Sequence, residues 1–302
     1  MIKPVKPSVG LALGSGSARG WAHIGVIRAM ENFGIRPDLV CGTSIGALVG
    51  AAYAAGELDR LEHWSLDLGI KDVLGFFDIS FGGGVLKGDR LMDFFRRNWS
   101  DKSIDELELP FAAVATSLRT GSEVWLRHGS TLDAVRASIA LPGLFTPVRW
   151  EGFLLVDGGL ANPVPVSLAR AMGADIVIAV DLGSDMLGRH FRSIQTNEAP
   201  VSTVHKWIRQ VQENLSSLAP EKSVDDDPMP SMLDVLDTCI DIVQVRIARS
   251  RLAGDPPDVI ISPRLAHLSL FDFHRAKEAI DEGYRAVERV NQNLVMINER
   301  KL

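Results

Sequence analysis

Two stretches decide how this chain folds: Val9-Gly10-Leu11-Ala12-Leu13 running into Gly14-Ser15-Gly16-Ser17-Ala18-Arg19-Gly20, and Leu39-Val40-Cys41 running into Gly42-Thr43-Ser44-Ile45-Gly46. Each joins a short apolar run to a glycine-rich turn, as a strand buried on both faces of a parallel sheet would. Between them Trp21, Ile24, Ile27 and Met30 recur at roughly helical spacing, and Gly34 supplies a helix C-cap. After the second turn, Ile45 to Ala55 reads as a small-residue helix that packs closely on a sheet and stops at Gly56. This βαβα order predicts an α/β fold with a mostly parallel central sheet flanked by helices.

Working outward, Phe111 to Leu118, Val124 to Leu126, Phe153 to Val156, Asp175 to Leu182 and Val259 to Ile261 read as further strands. Since strands come from nearly the whole chain, residues 1–302 are expected to form one domain. A helical insertion at about 188–254 precedes the last strand. It holds a helix expected over Thr203 to Leu218, the acidic run Asp225-Asp226-Asp227, and an apolar stripe of Leu233, Leu236, Ile240, Val243 and Ile247. That stripe is read as core-facing, with self-association or membrane docking as its other uses. A final amphipathic helix is expected over about Phe273 to Leu294.

The composition narrows the function. The net charge is −6, and no basic footprint for nucleic acid is present. Two cysteines, Cys41 and Cys239, are too few for a disulfide framework or a cysteine-built zinc site and suggest a reducing, cytoplasmic setting. The apolar run at Val9 ends after five residues, short of the ~7–15 of a secretory signal core. No stretch approaches the ~18 apolar residues of a membrane span. The expectation is a protein of the cytoplasm, at most peripheral to the inner face of the membrane.

Gly42-Thr43-Ser44-Ile45-Gly46 is a G-x-S-x-G pattern between strand and helix, the context in which a sharp turn lifts a nucleophilic hydroxyl clear of a sheet. A glycine-rich turn that merely packs the helix is its plain alternative. The loop from Gly14 to Gly20 also opens a helix, where unpaired N–H groups and the helix dipole receive an anion. That anion is either a dinucleotide pyrophosphate or the oxyanion of acyl transfer. A dinucleotide site wants an acidic residue at the end of the second strand, roughly 20 residues on, but that strand delivers Ser44. The oxyanion hole is favoured.

A serine nucleophile needs a proton acceptor. None of the seven histidines, His23, His63, His128, His190, His205, His267 and His274, lies in a catalytic pattern. Asp157, in Val156-Asp157-Gly158-Gly159, follows a strand and is the better candidate, with an Asx turn as the plain reading. A Ser-Asp-His hydrolase, a non-catalytic lipid-sensing or adaptor protein and a nucleotide binder remain as rivals.

Taken together, these residues resemble the patatin-like phospholipases, whose pattern is a glycine-rich loop with a basic residue, then G-x-S-x-G, then D-G-G or D-G-A. The resemblance extends to His23-Ile24-Gly25-Val26, Gly84-Val85-Leu86-Lys87-Gly88, Ala137 to Val148 and Asn162-Pro163-Val164-Pro165, and it is greatest to the bacterial group related to neuropathy target esterase. It implies a three-layer sandwich and a Ser44–Asp157 dyad acting on phospholipid or lysophospholipid esters without metal or organic cofactor. It also implies an oxyanion hole from the N–H groups of Gly16, Ser17 and Ala18. Gly14 and Gly20 would shape the loop, Gly42 and Gly46 would flank the elbow, and Arg19 would brace the loop or meet a lipid phosphate. Ser15 and Ser17 stand where the family pattern has glycine.

Substrate-facing expectations are looser. Trp64, Val73, Leu74, Phe76, Phe77, Ile79 and Phe81 suit an acyl pocket, a bilayer-facing surface or ordinary core. Lys87, Arg90, Arg96 and Arg97 suit lipid phosphates or a solvated helix face.

Overall fold

The computed structural model describes residues 6–76, 89–99, 101–186 and 232–301. Its sheet has the strands β1 (Val9–Leu13), β2 (Leu39–Thr43), β3 (Phe111–Ser117), β4 (Glu123–Leu126), β5 (Val148–Trp150), β6 (Phe153–Asp157), β7 (Ile176–Val180) and β8 (Val259–Ile261). They lie in the order β5-β6-β3-β2-β1-β7-β8, with β4 paired to β3. The stretch from β3 through β2, β1 and β7 to β8 is parallel. By contrast β4 and β6 run antiparallel to β3, and β5 antiparallel to β6. The mostly parallel sheet is present, and it carries an antiparallel edge in which short turns join β3 to β4 and β5 to β6, while the helix Thr131–Ser138 lies between β4 and β5.

Of the parallel strands, β1, β2, β3 and β7 are buried throughout, as their continuous apolar runs require, while the edge strand β8 leaves Ile260 exposed. On one face lie α1 (Ala22–Asn32), α2 (Ile45–Ala54), α3 (Leu58–Asp67), α6 (Thr131–Ser138) and α9 (Ala276–Arg289), with a core that includes Leu11, Leu13, Ile24, Ile27 and Leu155. Each such fully buried aliphatic side chain stabilises the fold by about 1.5–3 kcal/mol. On the other face α7 (Val166–Ala171) covers Ala12, Cys41 and Val114. A Cβ at Gly25 or Gly283 would run into the backbone carbonyl of Ile280 or Ala22, so α1 and α9 touch backbone to backbone.

Four further helices complete the described chain: α4 (Ile70–Phe76), α5 (Asp89–Asn98), α8 (Met232–Gly254) and α10 (Asn291–Lys301). The expected Phe273–Leu294 helix is in fact α9 preceded by a 3-10 turn at Phe273–Arg275 and broken before α10 at Val290. The expected helix over Thr203 to Leu218 and the acidic run lie outside the described residues.

The stripe on α8 is corrected at Val243, whereas Ile240 packs against Leu141, Leu270 and Phe271, and the side chains of Leu233 and Leu236 lie outside the described residues. Val243 is 45% exposed, while Val245 and Ala248 are buried and Ile240 lines a cleft. Around Val243, α8 meets the molecule instead through Asp241, Gln244, Val245 and Ala248. No described helix is long and apolar enough to cross a membrane.

Candidate active site

Ser44 forms the junction of β2 and α2 with φ 57° and ψ −124°, a left-handed backbone that costs a non-glycine residue roughly 1–3 kcal/mol. Several bonds offset that strain. The Ser44 N–H donates to Ser138 Oγ at 2.8 Å, and the Ser138 hydroxyl donates to the Val114 carbonyl at 2.6 Å. The Ser44 carbonyl accepts from Ala47 and Leu48 as α2 begins. A Cβ at Gly46 would meet the Leu13 and Gly14 carbonyls, and one at Gly42 would meet the backbone of Gly46. Gly46 is thus required by the close approach of the two turns, and Gly42 by the tightness of the elbow itself.

Strand β3 brings Asp157 to Ser44. Its Val114 pairs with Thr43 of β2 and its Ala115 pairs with Asp157 of β6, so adjoining positions on β3 set the two side chains side by side. Ser44 Oγ donates to Asp157 Oδ2 at 2.6 Å across a separation of 113 positions. Asp157 Oδ1 accepts the Gly159 N–H at 2.7 Å. The carboxyl is 1% exposed, and burial raises its pKa to about 6, with the Ser44 and Gly159 hydrogen bonds opposing. At pH 7 it is therefore mainly ionised and strongly basic for an aspartate.

The glycine-rich loop divides its amides. Gly14 N–H donates to Val180, Ser15 N–H to Pro163 and Ala18 N–H to Leu270 at 3.3 Å. Among the described residues, the N–H groups of Gly16 and Ser17 have no acceptor, and both residues line the cleft with Ser44 and Asp157. Ala18, expected as a third donor, is thus already engaged. Ser17 holds φ 48°, and its hydroxyl donates to the Leu270 carbonyl at 2.8 Å. Ser15 Oγ donates to Gln244 Oε1 at 2.9 Å.

Arg19 is a brace rather than a surface group: it is 2% exposed, donates from Nε to the Gly16 carbonyl at 3.2 Å and pairs through Nη2 with Asp241 at 2.7 Å. Gly20 packs against Ile45, so the loop and the elbow helix are in contact. His23 is fully buried and donates from Nε2 to the Gly14 carbonyl at 2.7 Å. Burial pushes its pKa down to about 4, so it supports the loop as a neutral ring. No histidine among the described residues bonds to Ser44 or Asp157; His267 instead pairs with Glu278 at 2.6 Å.

The dyad lies in a cleft whose walls are mainly apolar, among them Leu48, Trp64, Leu68, Val73, Phe95, Ile139, Leu141 and Phe145. Trp64 and Val73 are thus cleft residues, while Phe77, Ile79, Phe81 and Lys87 lie outside the described residues, as do the side chains of Leu74, Phe76 and Arg90. Arg96 pairs with Asp133 at 2.7 Å, which satisfies it as a solvated helix face. Among the described residues no group of three or more His, Cys, Asp or Glu is placed to hold a metal ion.

Ser138 and Gln244 carried no role in the sequence reading. Ser138 lies in the Ala137–Val148 stretch, which the pattern marked without a function, and Gln244 on α8 gave no signal at all.

Residues 11–170 match the family model described as patatin-like phospholipase. An uncharacterized NTE family protein of Mycobacterium bovis is 34% identical over 92% of this chain and 89% of its own length. The human patatin-like phospholipase domain-containing protein 6 is 37% identical over 59% of this chain and 13% of its own length. The lysophospholipase NTE1 of Pyricularia oryzae is 31% identical over 92% of this chain and 18% of its own. In fold, the crystal structure of VipD from Legionella pneumophila superposes with a TM-score of 0.51 at 15% identity, covering 97% of this chain and 67% of that one.

Proposed function

Because this chain belongs to the patatin-like phospholipase family, we propose that it is a serine acyl hydrolase of lipid esters, of phospholipase or lysophospholipase type, that works through a Ser44–Asp157 dyad. The observation that carries the reading is the 2.6 Å hydrogen bond from the strained Ser44 to the buried Asp157 at an apolar cleft.

In the proposed reaction Ser44 Oγ attacks the ester carbonyl carbon while its proton passes to Asp157 Oδ2. Charge that develops on the carbonyl oxygen is met by the N–H groups of Gly16 and Ser17, which need not reorganise during the step. Collapse breaks the ester C–O bond, and the departing alcohol takes the proton from Asp157. Water then attacks the acyl-serine, gives its proton to Asp157, and releases the fatty acid as that proton returns to Ser44. The raised pKa of Asp157 suits this role, since a stronger base takes the serine proton more readily. Apolar walls fit acyl chains and keep bulk water from the charged intermediate.

The named relatives support the substrate class, one being called a lysophospholipase. The test compares the parent chain with Ser44→Ala on lysophospholipids, phospholipids and short p-nitrophenyl esters. Fatty-acid or nitrophenol release from at least one of them should fall about 10³-fold or more in the variant, and a fluorophosphonate probe should label the parent alone. Equal release by the two proteins would overturn the proposal, and an unlabelled, inactive parent would point to an adaptor on the same scaffold.

A further inference from the structure

We infer that Gln244 of α8 is a positioning residue of this site, tying the glycine-rich loop to the turn that carries Asp157. The inference rests on the Ser–Asp reading above and concerns a residue outside the stretch 11–170 matched to the family.

On one side, Gln244 Oε1 accepts the Ser15 hydroxyl at 2.9 Å. On the other, a Cβ placed on Gly159 would lie 2.5 Å from Gln244 Nε2 and 3.0 Å from Asp157 Oδ1. The amide nitrogen and the carboxylate are therefore no farther apart than those two lengths together, and the absence of a side chain at Gly159 admits the amide. Gln244 lines the main cleft in front of the loop and the smaller cavity behind it. Among the described residues, the charged groups that line these two cavities with it are Asp157 in front and Arg19, Asp181 and Asp241 behind.

One turn earlier on α8, Asp241 holds Arg19, which donates to the Gly16 carbonyl. That carbonyl belongs to the same planar peptide as the Ser17 N–H, so fixing one aims the other. Ser15 likewise precedes the peptide that carries the Gly16 N–H. One face of α8 thus holds both candidate oxyanion donors at their roots. Their worth depends on aim, since a donor set about 1 Å off its mark loses much of its effect on the barrier.

The experiment uses the full chain with any ester that shows Ser44-dependent turnover, and compares Gln244→Met, Gln244→Glu, Ser15→Ala and the Gln244→Met/Ser15→Ala double variant. Gln244→Met should lower kcat about 10–100-fold with KM changed by less than about threefold, the pattern of a lost transition-state interaction. The double variant should be no worse than Gln244→Met alone, because both changes break one link. Gln244→Glu keeps the acceptor for Ser15 but sets a carboxylate beside Asp157, so the acid limb of kcat/KM should move up from about 6. A kcat within about twofold of the parent, additive losses, or an unmoved limb would each overturn the inference. Melting curves show whether each variant folds; if Gln244→Met does not, the Gln244→Glu pH profile decides. An active parent with indifferent Gln244 variants removes this inference alone. Absence of Ser44-dependent turnover removes it together with the dyad.

Discussion

Ser44 and Ser17 both follow a buried strand, and both hold a left-handed backbone, φ 57° and 48°. Yet their hydroxyls do different work. Ser44 Oγ is given to Asp157, a carboxylate delivered by the same sheet, while Ser17 Oγ is given to the Leu270 carbonyl of the C-terminal segment. The elbow is held by Gly42 and Gly46 of its own turn and by Ser138, 94 positions further along the chain. The glycine-rich loop is held by distant chain: Asp241, Gln244 and Leu270. The difference teaches that one backbone device serves the proposed nucleophile in one turn and a structural tether in the other, and that partners decide which.

The comparison breaks most sharply at the base. Asp157→Asn should reduce Ser44-dependent turnover by about 10³-fold or more and, at the same time, stabilise the protein. With its pKa raised to about 6, the ionised Asp157 costs the folded state about 2–3 kcal/mol above that pH. The cost is relieved as pH falls through 6 toward the unfolded value near 3.8. The variant should therefore melt higher than the parent at pH 8, and the gap should close by pH 4. A lower melting temperature at pH 8 would contradict the assigned cause of the shift.

A second measurement follows the same group in turnover. As Asp157 must be ionised to accept the Ser44 proton, log kcat/KM should fall by about one per pH unit below 6 and flatten above it. Retention of full activity at pH 4.5 would remove Asp157 as the base.

The smallest effect separates tether from nucleophile. Ser17→Ala loses the bond to Leu270 but keeps the left-handed strain, whereas Ser17→Gly loses the bond and relieves the strain. Urea unfolding should find the glycine variant more stable than the alanine variant by about 1 kcal/mol, with both retaining measurable turnover. The reverse order would mean that the φ of 48° carries no cost.

Much of the site was legible without coordinates. Apolar runs ending in glycine announced buried strands and sharp turns, and Ser44 and Asp157 each stood immediately after one. The clashes awaiting a Cβ at Gly42 and Gly46 show why the glycines had to be there. The loop was less legible. Ser15 and Ser17 read as departures from an all-glycine form, whereas the fold uses both hydroxyls as tethers. Arg19, left between a brace and a lipid-phosphate contact, is buried against Asp241. On α8, the hydropathy stripe marked Val243 as inward-facing although it is exposed, because polar Asp241 and Gln244 make the contacts there.

What the sequence by itself determined was local: which residues turn, which strands are buried, and which side chains are candidates for the proposed nucleophile and base. Those follow from steric freedom and apolar periodicity over a few neighbouring positions. What only the tertiary structure decided was pairing over distance: Val114 and Ala115 of one strand setting Ser44 beside Asp157, and α8 reaching back to hold the loop. Such contacts depend on register between strands and on the rotation of a helix about its axis, and neither leaves a periodic trace in the chain.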